Sequence, residues 1–261
     1  MLRKALWDLR WTAFWFAVGG AVYTLLVSFF YPMVRQQSKA FASLVATYPK
    51  GLLAAIGYTD ITTFSGYMGA ESLNLFWPII IAVFATLAGA SMVAKEVEDG
   101  TSEIWLSVPA QRWRLLLGKM GALGIALVAI VASSLVAVAL SAVVASATVS
   151  IAGLLAMGVV MFAFLVVIAA YSGLFSSVLS SRGAAAGLSL GVTVVSYMLS
   201  LIAGLADQWK SLKDVSIFTA YKPQQALETG SVDVLPIAIL LAVSAVCVAL
   251  ALAGFQRRDA V

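Results

Sequence analysis

The residues able to do chemistry in this 261-residue chain are few, and most of them crowd into one stretch, 94–120. Four acids come first, Glu96, Glu98, Asp99 and Glu103; three bases follow, Arg112, Arg114 and Lys119. Between them lie an Asp99-Gly100 turn signal, Thr101 placed to cap a short helix, and the apolar triplet Ile104, Trp105 and Leu106. Glu103 in the first turn of that helix suits its positive end, and Ser107 with Pro109 marks a second helix start. On charge alone the stretch fits a solvated loop between two helices.

The chemistry missing elsewhere is equally telling. There is no His, and the one Cys, Cys247, sits inside a hydrophobic run. Zinc, iron–sulfur and disulfide frameworks are therefore excluded, and no metal site is expected. No Gly-x-x-x-x-Gly-Lys-Ser/Thr stretch exists to cradle phosphates, since Gly118-Lys119 lacks the upstream glycine. The chain is therefore not expected to hydrolyse ATP or bind a cofactor of its own.

The elements that must carry these residues are membrane helices. The chain is 62% hydrophobic and 11% charged, with mean hydropathy +1.01, against about 25% charged residues in a soluble domain. Six charge-free runs are expected to span the bilayer, at about 11–31, 74–93, 120–145, 151–179, 183–205 and 234–255, as one domain over 1–261. Pro32 is expected to end the first. Residues 33–73 and 206–233 are read as long outer loops, the first with a short amphipathic helix around Phe41, Leu44, Val45 and Tyr48. Residues 1–10 alternate Leu and Trp with Arg and Lys, as in a short interfacial helix or a plain flanking anchor. No cleavable signal peptide is expected, because the following span is too long for a signal core.

Six spans put both termini on one side. Arg3, Lys4, Arg10, Lys95, Arg112, Arg114, Lys119, Arg182, Arg257 and Arg258 share that side, whereas Arg35, Lys39, Lys50, Lys210, Lys213 and Lys222 spread over the longer loops opposite. The bias makes the termini and the 94–120 stretch cytoplasmic. It also accounts for the +4 net charge without nucleic acid as a partner. With no ionisable residue in any expected span, a proton-driven carrier is disfavoured.

The 94–120 stretch resembles the cytoplasmic loop of ABC type-2 (export-type) permeases. Paired acids (Glu96, Glu98), Gly100-Thr101, Glu103, Pro109, Arg112 and then Leu116-Leu117-Gly118-Lys119 follow that pattern over more than twenty residues. Gln111, where a small hydroxyl residue is common, and the bulky Trp105 depart from it. The resemblance implies an all-α membrane protein of six transmembrane helices, with an N-terminal interfacial elbow helix and a cytoplasmic coupling helix between spans two and three. It implies two separate ABC ATPase subunits carrying the ATP and magnesium, and a second permease copy or similar permease. It assigns ATPase coupling to Glu96, Glu98, Gly100, Thr101, Glu103, Ile104, Trp105 and Leu106. It brings spans two and five toward a dimer axis, where Phe76, Phe84, Ser189, Thr193, Ser196 and Tyr197 are candidate lining for a substrate pathway. Short helices dipping into the outer leaflet are implied for 206–233. Gly183, Gly187 and Gly191 form two overlapping small-xxx-small motifs, for a subunit interface or for packing within one bundle. The alternatives are a secondary transporter or channel, or a membrane immunity or assembly protein without transport.

Overall fold

The computed structural model describes residues 2–37, 47–48, 62–100, 112–205 and 207–257. Its long helices are α1 (Leu2–Gln36), α5 (Arg112–Val144), α6 (Ile151–Val178), α7 (Arg182–Leu205) and α9 (Val234–Arg257). Between them lie α2 (Phe64–Met68), a π-helical turn (Gly69–Leu73), α3 (Phe76–Ala90) and α4 (Ala94–Glu98). Two 3-10 helices (Asp207–Val215 and Ile217–Ala220) and α8 (Pro223–Thr229) precede α9. Among the described residues five helices are long and apolar enough to cross a membrane, and six if the pair 64–73 and 76–90, bent by 41°, is one span.

Helix α6 is the centre of the bundle. Met157, Met161, Phe164, Leu165, Val167 and Ile168 are all wholly enclosed. It packs against α3, α5, α7, α8 and α9. Exposed Val, Ile and Leu side chains cover the outer faces of α5, α7 and α9, as expected where the surrounding solvent is lipid. Small residues set the closest approach. A Cβ on Gly89 of α3 would lie 2.6 Å from the Ser172 Cβ and 3.1 Å from the Ala169 carbonyl of α6.

Two boundaries differ from the sequence expectation. The first span does not end at Pro32, and no separate elbow helix precedes it among the described residues, because α1 runs unbroken from Leu2 to Gln36. Nothing between Arg10 and Trp11 interrupts the backbone ladder, and Arg10 lies over the Trp7 ring at 2.9 Å within the same helix. Pro32 forfeits only the bond to the carbonyl four residues back, near the helix end. Helix begins at Phe64, within what reads as outer loop, and the bent pair 64–73 and 76–90 runs along α1. The Tyr31 hydroxyl donates to the Thr62 carbonyl (3.1 Å), the Tyr67 hydroxyl to Val27 (2.9 Å) and the Tyr23 hydroxyl to Glu71 (2.7 Å). Further down, the Phe16 and Phe84 rings meet at 5.4 Å. The helix around residues 41–48 lies outside the described residues apart from Thr47 and Tyr48, and Tyr48 is exposed.

Candidate functional site: the base of the charged loop

Residues 94–100 form the base of the charged stretch, and three helices hold them. The first is α6. The chain turns between α3 and α4 at residues 91–93, which leaves backbone groups without helical partners. The Ser176 hydroxyl fills the gap. It accepts from the Val93 and Ala94 N–H groups, each at 3.0 Å, and donates to the Ala90 carbonyl at 2.7 Å. One buried hydroxyl thus fixes the bend.

The second is α5. The Lys119 ammonium forms an ion pair with the Glu96 carboxylate and donates to the Met92 carbonyl at 2.6 Å. Both side chains are largely covered, at 18% and 24% exposure, so this pair is better shielded from screening than a surface one. The third is α7. The Glu98 carboxylate accepts from the Arg182 backbone N–H at 2.7 Å, at the first residue of α7. A carboxylate there also complements the positive helix end. Asp99 and Gly100 close the base in a turn, and Gly100 takes φ +66°, where a Cβ is disfavoured.

Beneath the base lies a cavity of about 490 Å³. Lys4, Asp8 and Thr12 of α1 line it with Ser91, Lys95 and Asp99, over an apolar floor that includes Leu87, Leu115 and Leu123. Lys4, Lys95, Lys119 and Arg182, four of the bases expected on the cytoplasmic side, thus border one cavity. Arg35 meets Ala145 and Ser146 at another.

Of the expected coupling residues, Glu96, Glu98 and Gly100 are brought together here, each engaged as described. Thr101, Glu103, Ile104, Trp105 and Leu106 lie outside the described residues. Of the expected pathway residues, Phe76 is exposed and touches the Tyr23 ring at 5.5 Å, and Tyr197 is half-buried against Phe218. The others are enclosed within the protomer. Phe84 is fully buried, Ser189 donates to the Ala185 carbonyl (2.7 Å), and Thr193 bonds the Tyr171 hydroxyl. The Ser196 hydroxyl accepts from the Ile217 N–H (2.9 Å) and pairs with Ser216 (3.3 Å). Gly187 and Gly191 meet no atom within 4 Å of where a Cβ would sit, and Gly183 meets only Ser181. That face of α7 is therefore free within the protomer.

Three residues escaped the sequence reading. Ser176 gave no signal beyond being a hydroxyl near the end of an apolar helix. Tyr221 read as part of an amphipathic loop; instead it is buried among Phe164 and Trp77, and its hydroxyl donates to the Leu73 carbonyl at 2.9 Å. Burial pushes that phenol well above its ordinary range. The third, Glu71, lies in the π-helical turn between α2 and α3. Counted as one span, the bent pair 64–90 would carry Glu71; the five long helices alone leave the expectation of charge-free runs within them as it stood. The apolar pattern 64–90, in which Glu71 is the one charged residue, is the signal that would have found it.

Compared with known protein families, residues 7–260 match the model described as ABC-2 family transporter protein. No individual curated protein matches at a significant level.

Proposed function

On the premise that this chain belongs to the ABC-2 transporter family, to whose model nearly its whole length matches, we propose that it is the membrane-spanning permease subunit of an ATP-driven exporter in the cell membrane. Both termini lie in the cytoplasm. The chain works as a pair, with itself or with a similar permease, and two separate ATPase subunits bind beneath it and supply ATP hydrolysis with magnesium. The free glycine face of α7 suits close helix approach across that pair.

The observation that carries the coupling reading is the three-way hold on residues 94–100. A loop that merely rested on the membrane would need no such base. Here its root is tied to α5 by Lys119, to α6 by Ser176 and to α7 by Glu98, so a push on 101–106 reaches three spans at once. Ile104, Trp105 and Leu106 would seat in a cleft of the ATPase, where a cytoplasmic apolar cluster finds cover. Glu103 would fix orientation against basic groups, while Glu96 and Glu98 hold the root. The substrate would pass beside α3 and α7. Phe76 already faces outward, whereas Ser189, Thr193 and Ser196 would line the path when α7 parts from α6 and the 3-10 segment.

The double variant Trp105→Ala, Glu103→Lys tests this. The permease should insert and fold, but the ATPase encoded with it should either dissociate or hydrolyse ATP without transport. Full ATPase binding and full transport in that variant would place the coupling contact elsewhere.

A further inference from the structure

The cavity under the loop base lies where the chain passes four times between charged and charge-free sequence. On α1 the last charge is Arg10, and 11–34 carries none. On α5 it is Lys119, and 120–144 carries none. Arg182 opens α7 and is its only charge, and residues 76–94 are charge-free ahead of Lys95 on α4. Trp7 and Trp11, beside the lining residues Asp8 and Thr12 in sequence, are exposed, as aromatic side chains are at a membrane–water interface. A hollow at such a transition is open to amphiphiles as well as to solutes.

Its walls match the two ends of an amphiphile. The volume of about 490 Å³ is ordinary for a small-molecule pocket. Leu87, Leu115 and Leu123 offer an apolar floor on which methylene groups gain by leaving water. The charged wall carries both signs. Beyond the Glu96–Lys119 pair, Lys95 and Arg182 are positive, Asp8 and Asp99 are negative, and Lys4 adds a third base. An anionic head would meet two carboxylates, and a cationic head the bases. A head that carries both charges a few bonds apart can set each against its opposite. Its positive group is one with N–H donors, since carboxylates bind these by charge-assisted hydrogen bonds. A quaternary ammonium is held instead by aromatic faces, and none is among the described residues that line the cavity.

We propose that this cavity binds the head of a phospholipid whose phosphate is joined to a primary ammonium. The phosphate lies toward Lys95 and Arg182, the ammonium toward Asp8 and Asp99, and the first chain carbons on the leucine floor. A soluble phosphate ester of ethanolamine shares the head chemistry, but it has nothing to place on that floor. Asp8 belongs to α1, and Lys95 and Asp99 to the loop base, so the bound head bridges the two. The site goes beyond the transporter reading and does not rest on it.

The test adds defined dioleoyl lipids to the full chain in a delipidating detergent and counts retained lipid by native mass spectrometry. Phosphatidylethanolamine should be retained at least about fivefold better than phosphatidylglycerol, which lacks the ammonium, or phosphatidylcholine, whose ammonium lacks N–H. Asp8→Asn should cut the preference over phosphatidylglycerol to about twofold or less, and Lys95→Gln should weaken phosphatidylethanolamine about threefold. Equal retention of the three lipids, an unchanged preference in Asp8→Asn, or full retention by Lys95→Gln would each overturn the site. Displacement of the lipid by an equal concentration of O-phosphoethanolamine would make the soluble ester the ligand and overturn the lipid. None of these outcomes bears on whether the ATPase assembles with the chain. Failure of that assembly would overturn the transporter reading and leave the lipid site standing.

Discussion

Ser176 shows how much one hydroxyl settles in an apolar helix. It is buried, and it satisfies two N–H groups and one carbonyl at a bend. Replacing it by Ala would leave the Val93 and Ala94 N–H groups without that acceptor, at about 1–3 kcal/mol for each left unsatisfied. Ser176→Ala should therefore lower unfolding stability in detergent by at least about 2 kcal/mol, whereas Ser133→Ala, whose hydroxyl donates to the Ile130 carbonyl of its own helix, should cost less than about 1 kcal/mol. Equal effects at the two positions would mean that the bend does not depend on Ser176. Such a role was not legible in the sequence, because a serine in an apolar run is compatible with packing, capping or back-bonding to its own helix. Glu96, Glu98 and Gly100 were legible, since charge and glycine are rare enough here to be noticed. Their partners Lys119 and Arg182 are distant in sequence, and only the fold pairs them.

At the scale of elements, the apolar runs 151–179, 183–205 and 234–255 match α6, α7 and α9 to within two residues at each end, whereas α1 and α5 start eight or nine residues ahead of theirs, through bases that do not bound them. They failed where an apolar run continues through a residue usually taken as punctuation. Pro32 does not stop α1, and Glu71 does not delay the second span. Packing against α1 outweighs the local signal in the second span, through hydroxyl bonds from Tyr23, Tyr31 and Tyr67 that no periodicity announces. The pair joining α4 to α5 makes a prediction at this scale. Lys119→Ala removes the ammonium that pairs with the largely covered Glu96, at roughly 1.5–3 kcal/mol for a charged hydrogen bond lost. It should loosen α4 and reduce stimulation of the partner ATPase. The exchange Glu96→Lys with Lys119→Glu should recover part of both, measured as ATP turnover in the reconstituted complex. No recovery would indicate that Lys119 acts through the Met92 carbonyl instead.

The whole molecule leaves more apolar surface and more glycine face uncovered than one protomer uses. Lipid can cover the valine-rich faces of α5 and α9. The track of Gly183, Gly187 and Gly191 on α7 is suited to another helix. Mass measurement of the complex purified with its ATPase should give two permease chains and two ATPase chains. Gly187→Leu should shift the assembly toward single permease chains without unfolding it. A stable lone permease in the wild type would overturn the paired arrangement.

Helix α1 gives the molecule a mechanical property. Its 35 residues make a rod about 52 Å long, well beyond the hydrocarbon thickness of about 30 Å. One end, at Lys4 and Asp8, borders the cavity under the loop base. The other half is hydrogen-bonded to the segment that carries Glu71. A tilt of about 5° displaces one end of such a rod by roughly 4–5 Å relative to the other. The same helix is therefore a lever, one arm at the cavity under the loop base and the other beside the bent pair 64–90.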